Sequence, residues 1–458
     1  MQITHFSDLP LSDDTLADLA HLGYDTPTPI QAQALPAVLA GHDLQAKAET
    51  GSGKTGAFGI GLIDNIDLKT LKPQALIIAP TRELCNQITG VLRSLGRSKA
   101  NLRVVTLCGG SPKHPQRESL KQGVHIIVGT PGRLIDHLEA GYLELDAMKS
   151  VVLDEADRML DMGFAPQIGD IVSHFPEQHQ TLLFSATFNQ QARELANAIT
   201  DDPIFVEVEP EQTTENLKQK LCRCTNDNRD QVIHNLLIEY KFEACIIFCN
   251  TKSACHQLRI FLRNMGHAAL TLHGDLEQNE REDILVQFAH RSATILIATD
   301  VAARGLDIEL VPGVINYDVP TDPSTYTHRI GRTARAGQSG TAITLCSNQE
   351  THRWDRILEL QDTEVEPIIS RDSAGKAPVF AAYKTLCILG GRKQKLRPGD
   401  LLGALTKDDK LNREQIGKID VMQTVSYVAI VNSYAKSALQ QIQSGRIKGK
   451  KYRAKLLG

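Results

Sequence analysis

The chain has 458 residues, 41% of them hydrophobic and 23% charged, which is the composition of a folded globular protein and the length of about three domains. It carries a net charge of −4 and no run of 18 apolar residues, which excludes a bilayer-spanning helix, and its first ten residues lack an apolar secretory core. Nine cysteines, at 85, 108, 222, 224, 245, 249, 255, 346 and 387, form no CxxC pair, which argues against a disulfide scaffold or a paired zinc knuckle and predicts a reducing, cytoplasmic location.

Along the chain, short apolar runs predict buried strands at 75–79, 126–128, 151–153, 182–184, 246–248, 295–298 and 343–345, and a further strand is expected at 43–47. Segments with helical spacing lie between them, among them 83–95, 192–199, 231–238 and 253–265. This alternation predicts α/β units with parallel sheets. It occurs in two series, domains of residues 1–208 and 217–369, separated by an acidic, apolar-poor linker at 209–216. A second break at 370–378 precedes a smaller unit, 379–458. There the expected order is strand 385–389, helix 398–405, strands 418–421 and 426–431, helix 434–444 and strand 452–456. The order βαββαβ is the ferredoxin-like pattern that includes the RNA-recognition motif, and many unrelated functions share it. Residues 376–458 carry 17 Lys or Arg against 5 Asp or Glu, a net of +12 that leaves −16 on the rest. A basic end on an acidic body predicts a nucleic-acid-binding appendage; a merely solvated tail would lack this segment's apolar periodicity.

In open α/β sheets, ligands bind beyond the carboxyl ends of the strands. After strand 43–47 comes Ala48-Glu49-Thr50-Gly51-Ser52-Gly53-Lys54-Thr55, then a helix. A glycine-rich turn lets backbone N–H groups approach phosphates, and the helix N-terminus favours their charge. Thr50, Gly51, Ser52 and Gly53 form the expected ATP loop, with Lys54 reaching the β- and γ-phosphates and Thr55 holding Mg2+. Strand 151–153 runs into Asp154-Glu155-Ala156-Asp157. Asp154 is expected to hold Mg2+ through water and Glu155 to orient or deprotonate the attacking water. Taken alone, these acids could equally be an ordinary helix N-terminus; the upstream phosphate loop favours the catalytic reading.

The second series has no phosphate loop. It offers Thr299-Asp300, Arg304-Gly305-Leu306-Asp307 and His328-Arg329-Ile330-Gly331-Arg332-Thr333-Ala334-Arg335. Arg332 and Arg335, three apart, are suited to a γ-phosphate held by the first domain, since guanidinium recognises phosphate bidentately. Surface ion pairs are the alternative.

Together these motifs resemble the DEAD-box RNA helicases over about residues 1–365. The resemblance implies two tandem RecA-like parallel-sheet domains followed by the small RNA-recognition-motif-like α+β domain. The run Gly23-Tyr24-Asp25-Thr26-Pro27-Thr28-Pro29-Ile30-Gln31, with Phe6 upstream, is similar to the family's adenine-reading motif. The resemblance implies that Gln31 bonds the adenine edge and Phe6 packs on its face. Pro80-Thr81-Arg82-Glu83-Leu84, Gly109-Gly110 and Thr130-Pro131-Gly132-Arg133 resemble the first domain's RNA-backbone contacts. Ser185-Ala186-Thr187 resembles the segment coupling hydrolysis to strand separation. In the second domain, Thr251, Gly274, Thr299 and Arg329 fall at RNA-contact positions, Asp307 at the ribose position, and Arg332 and Arg335 at the arginine fingers. Two departures, Cys85 where alanine is usual and Ala48 opening the phosphate loop, remove no functional side chain.

The segments Lys393-Gln394-Lys395-Leu396-Arg397-Pro398-Gly399-Asp400 and Gly445-Arg446-Ile447-Lys448-Gly449-Lys450 resemble the C-terminal domain of one bacterial branch of this family. That resemblance implies a monomeric RNA-dependent ATPase, targeted to a 23S ribosomal RNA hairpin during large-subunit assembly. RNA-recognition motifs usually display aromatics on their first and third strands. Here strand 385–389 has none and the third offers only Tyr427, so recognition is expected to lean on Lys393, Lys395, Arg397, Lys448 and Lys450 with Tyr427. Phosphate contacts alone do not separate RNA from DNA; 2′-hydroxyl contacts do.

Overall fold

The computed structural model describes residues 3–49, 51–208, 216–303, 310–334, 339–359, 364–373, 375–407 and 411–458. Eighteen strands among them form three sheets. The first sheet contains β1 (Leu44–Lys47), β2 (Ala75–Ile78), β3 (Val104–Leu107), β4 (Ile126–Gly129), β5 (Ser150–Asp154), β6 (Gln180–Ser185) and β7 (Ile204–Glu207). The second contains β8 (Leu217–Arg223), β9 (Cys245–Phe248), β10 (Ala269–Leu272), β11 (Ile295–Ala298), β12 (Gly313–Asn316), β13 (Gly340–Cys346) and β14 (Glu366–Ile368). Both are wholly parallel, in the orders β3-β4-β2-β5-β6-β1-β7 and β10-β11-β9-β12-β13-β8-β14. These are one order written twice, offset by seven strands. The two series of α/β units are therefore two copies of one topology.

The central strands β2, β4, β6, β9 and β11 are buried along their whole length, because helices cover both sheet faces. That is why they stand out in the sequence as continuous apolar runs. The strands without such runs have physical reasons for it. Four are sheet edges, β3, β7, β10 and β14, where one side needs no apolar residue. Strand β8 is only partly buried, and its Lys and Gln residues break any run. Strand β12 is buried throughout, but Gly313 and Asn316 at its ends shorten the apolar signal to two residues.

The third sheet contains β15 (Tyr383–Ile388), β16 (Ile416–Val421), β17 (Ser426–Val431) and β18 (Ala454–Leu457), antiparallel in the order β16-β17-β15-β18. With helices Pro398–Leu405 and Ala435–Ser444 it makes the βαββαβ fold. Side chains alternate across a strand, so one face of β15 and β17 presents Leu386, Ile388, Val428 and Ile430, which pack on Leu401, Leu405, Ala438 and Ile442 of the two helices. The opposite face presents Cys387 and Tyr427, which with Leu457 pack on Val286 of helix Gln278–Ala289.

Polar contacts rim that patch. Tyr427 Oη donates to Asp283 Oδ1 at 2.8 Å, Ser292 and Thr385 share a hydroxyl bond of 2.7 Å, and His290 Nε2 meets Asp420 Oδ2 at 2.9 Å. The segment before the small domain is also tied down: Ser373 Oγ donates to Asn235 Oδ1 at 2.7 Å. The second parallel-sheet domain and the small domain thus form one compact unit, and the first domain forms another. No helix among the described residues is long and apolar enough to cross a membrane. All nine cysteines are buried and unpaired.

Candidate nucleotide site and nucleic-acid interfaces

Strand β1 delivers the chain into the turn before helix Lys54–Asn65. Gly51 (φ 89°) and Gly53 (φ 96°) are both left-handed, a conformation that costs a residue bearing a Cβ about 1 kcal/mol. A Cβ on Gly53 would also lie 2.7 Å from Thr28 Oγ1 and 2.8 Å from Gln31 Nε2. The loop glycines therefore serve both backbone geometry and close approach to the neighbouring helix. Thr55 follows Lys54 on the first turn. Thr50 lies outside the described residues.

Lys54 is 6% exposed, and its Nζ has no hydrogen-bond partner among the described residues. A buried ammonium without a partner is costly, and an anion such as a phosphate would satisfy it. At the end of β5, burial pushes the Asp154 carboxyl up to about 6, against the opposing pull of Lys54 and reinforced by Glu155 and Asp157. A hydroxyl from Thr55 and a carboxylate from Asp154 are the hard oxygen donors that suit Mg2+.

Glu155 is 7% exposed and adopts a left-handed backbone (φ 54°, ψ 51°) between β5 and helix Ala156–Asp161. Its carboxylate is held by Arg158 Nη1. Asp157 accepts Thr187 N at 2.9 Å and Thr187 Oγ1 at 2.8 Å, while its own N–H donates to Ser185 Oγ at 3.2 Å. The Ser185–Thr187 segment is thereby bonded directly to the acidic turn.

Helix Pro29–Ala40 starts at Thr28, and Gln31 stands at its third position. There Gln31 Oε1 accepts Thr28 N at 3.0 Å and Nε2 donates to Gly53 O at 3.1 Å. An amide has two donors and two acceptor sites, so one N–H and one lone pair remain for a base edge. Phe6 is buried, its ring 6.4 Å from Tyr24 and 28° from coplanar. Tyr24 is 36% exposed and reaches over the first helical turn, with Cε2 3.9 Å from a Cβ placed on Gly56. It is the more open ring of the pair. The sequence reading assigned only Phe6, although Tyr24 lies inside the same motif.

The expected RNA-contact residues of the first domain gather at the carboxyl ends of β2, β3 and β4. Pro80, Arg82, Gly109, Thr130, Gly132, Arg133, Asp136 and Phe164 line a hollow of about 490 Å³. Thr81 caps helix Arg82–Leu95 by accepting Leu84 N at 3.3 Å, and Pro131 opens helix Pro131–Glu139. Arg82 Nη1 lies 3.2 Å from where a Cβ on Gly110 would sit. Arg133 is only 9% exposed: its Nη1 donates to Ser111 O at 3.0 Å and Gln116 Oε1 at 3.1 Å, and its Nε to Asp136 Oδ2 at 3.2 Å. It shapes the hollow's wall from within more than it offers a free charge.

The second domain repeats the arrangement. Thr251 follows β9 as Thr81 follows β2, and caps helix Lys252–Asn264 through Ala254 N at 3.1 Å. Thr299 follows β11 as Thr130 follows β4, and Gly274 follows β10 as Gly110 follows β3. Arg329 corrects the sequence expectation. It is 1% exposed and donates to Asp300 Oδ1 and Oδ2 and to Asn250 Oδ1, each at 2.7 Å, and to Asp318 O at 2.9 Å. It ties the ends of β9, β11 and β12 together and offers no surface to RNA. Arg332 lies in the turn after helix Pro323–Ile330, where its carbonyl accepts Val311 N at 3.1 Å. Arg335 and Asp307 lie outside the described residues.

On the small domain, Lys393, Lys395, Arg397, Lys448 and Lys450 are all exposed. Buried Leu396 and Ile447 pin their two loops to the domain core. Lys448 Nζ donates to Lys395 O at 2.8 Å and pairs with Asp400 at 2.7 Å, so the loops form one basic surface. Tyr427 does not belong to it. It is 4% exposed, its hydroxyl is committed to Asp283, and helix Gln278–Ala289 covers its face. The expectation that Tyr427 contacts RNA is therefore corrected: its aromatic surface is used for domain packing.

Three family descriptions match the chain: DEAD/DEAH box helicase over residues 28–195, helicase conserved C-terminal domain over 228–337, and DbpA RNA binding domain over 385–456. The chain is 45% identical over 456 residues to the ATP-dependent RNA helicase DbpA of Escherichia coli (strain K12), covering 99% of this chain and 100% of that protein. It is 37% identical over 471 residues to the ATP-dependent RNA helicase DbpA of Bacillus subtilis (strain 168), covering 98% of each. Among solved structures, S. cerevisiae Dbp5 bound to RNA and ADP BeF3 is similar with a TM-score of 0.71 and 32% identity, over 81% of this chain and 96% of that one. With two RecA-like sheets, a phosphate loop facing an acidic strand end and the small basic domain all accounted for, the chain belongs to the DEAD-box ATP-dependent RNA helicases of the DbpA type.

Proposed function

We propose that this RNA-dependent ATPase is a cytoplasmic monomer directed to a hairpin of 23S ribosomal RNA, where it remodels local structure during assembly of the large ribosomal subunit. The observation that carries the targeting is the single basic surface made by the loops of Lys393–Arg397 and Arg446–Lys450 on a domain whose sheet face is otherwise occupied.

Within the motor, Lys54 binds the β- and γ-phosphates, and Gln31 reads the adenine edge with its remaining N–H and lone pair, Phe6 and Tyr24 supporting the base. Thr55 and Asp154 are the residues that would hold Mg2+, whose charge would offset that of the phosphates. Glu155 orients the attacking water and accepts its proton. Arg332 and Arg335 supply positive charge to the transferring phosphoryl group, and Asp307 holds the ribose. Pro80, Thr81, Arg82, Gly110, Thr130, Thr251, Gly274 and Thr299 contact the RNA backbone at equivalent strand ends of the two domains. Arg133 supports that surface from behind.

The targeting is tested by binding of the full chain to a 23S hairpin fragment and to a scrambled hairpin at matched salt. The expected result is preference for the native hairpin, lost in a variant carrying Lys393→Glu and Lys450→Glu. Equal affinity of the wild type for both RNAs would overturn the assignment.

A further inference from the structure

Between Asp154 and Arg158 the chain crowds three carboxylates into four consecutive residues, and all three are at most 7% exposed. Each is held differently. Asp154 shares the site with the Lys54 ammonium. Asp157 is satisfied by the backbone and hydroxyl of Thr187. Glu155 has neither partner. Its Oε2 is held by Arg158 Nη1, and its Oε1 accepts no hydrogen bond from a described residue.

The backbone explains why a separate clamp is needed. Glu155 is left-handed, so its side chain leaves the direction that a helical residue at this point would take. Such a conformation costs a residue with a Cβ about 1 kcal/mol or more and persists only where the surroundings over-determine it. The carbonyl of Glu155 accepts Arg158 N and Met159 N, both at 3.1 Å, which starts the short helix and brings Arg158 back over the turn. Arg158 is itself only 8% exposed, so its guanidinium is fixed.

We propose that Arg158 is the positioning residue for the catalytic carboxylate: it grips Oε2 of Glu155 so that Oε1 stays aimed at the attacking water. The proposal rests on the reading of Glu155 as the group that activates water. A glutamate without the clamp rotates about its side-chain bonds, and a misplacement of about 1 Å in a reacting group can cost on the order of 10²-fold in rate. In this scheme the arginine bears on the reaction through its grip on Glu155 and is not itself a catalytic residue.

The test is a double-mutant cycle on the full chain, reading single-turnover ATP hydrolysis at saturating RNA. Arg158→Met should lower the hydrolysis rate by about 10- to 100-fold, with the KM for ATP and the half-saturating RNA concentration unchanged. Arg158→Lys, which keeps a cation within reach of Oε2, should restore most of the rate. Placed in a Glu155→Gln background, Arg158→Met should add no further loss. Should the methionine variant fail to fold, judged by its thermal unfolding, Arg158→Gln carries the same comparison. Three results would each overturn the proposal: wild-type turnover in Arg158→Met, a rise in the ATP KM that matches the loss in rate, or the same fold-loss in the Glu155→Gln background. Normal turnover by Glu155→Gln alone would instead remove the reading of Glu155 on which the proposal rests.

Discussion

Replacing Tyr427 by Phe removes one hydroxyl from the patch where the small domain sits on helix Gln278–Ala289. That hydroxyl donates to Asp283 at 2.8 Å, and a hydrogen bond to a charged acceptor contributes about 1.5–3 kcal/mol. The lower end applies, because the Asp283 side chain keeps 29% exposure and lies 3.9 Å from Lys455, so water and the lysine compensate in part. A loss of about 1.5 kcal/mol is close to a tenfold change in an equilibrium constant. The assay is native-state hydrogen exchange on the full chain. Core amides of β15 and β17 exchange through unfolding of the small domain, whose free energy includes the docking contribution. Their exchange should accelerate about tenfold, while amides of β5 and β6 in the first domain keep their rates. Unchanged exchange in β15 and β17 would refute the reasoning, since it would mean that the Tyr427 contact contributes nothing to holding the sheet in place.

Protonation should act on both ends of the molecule, with opposite signs. Asp420, with its carboxyl held below the ordinary 3.8 chiefly by His290, contributes stability above that value and loses it as pH falls through its lowered value, so the small domain should be acid-labile below about pH 4; circular dichroism and exchange at acid pH check this. Asp154 is the reverse case. Because its folded value is raised to about 6, ionising it costs stability as pH climbs from about 4 to 6, and Mg2+-dependent ATP affinity should rise over the same interval and then flatten in calorimetric titrations. Gln31→Ala should narrow the preference for ATP over GTP in steady-state hydrolysis, since it removes the amide that reads the base edge; equal use of both nucleotides by the wild type would remove the basis for that assignment.

The parts of this molecule that could be read from its sequence are those where one physical demand acts alone. Fully buried parallel strands need continuous apolar residues, and β2, β4, β9 and β11 display them. A phosphate loop needs glycine where the backbone turns left-handed, and Gly51 and Gly53 meet that need. The edge strands answered to weaker demands and gave no signal. Arginine was the harder case. Arg133 and Arg329 sit in motifs associated with RNA contact, yet burial makes them internal struts, and motif spacing does not report how many carbonyls and carboxylates a fold brings around a guanidinium. Tyr427 was misleading for a related reason. An aromatic on the third strand of such a sheet suits base stacking and helix packing equally, and only the presence of Val286 and Asp283 opposite decides between them. Arg158 gave no signal of its own, since its importance follows from the left-handed turn at Glu155.

The measurement that bears most directly on the account is RNA-stimulated ATP hydrolysis as a function of RNA concentration. It compares a 23S fragment carrying the target hairpin with random RNA, for the full chain and for a chain ending at Ser373, at matched salt. The full chain should be half-activated by the 23S fragment at a far lower concentration than by random RNA. The shortened chain should remain an RNA-dependent ATPase and respond to both RNAs alike. Equal selectivity in the two proteins would contradict the account, because it would locate recognition in the motor domains and reduce the basic surface of the small domain to a nonspecific anchor.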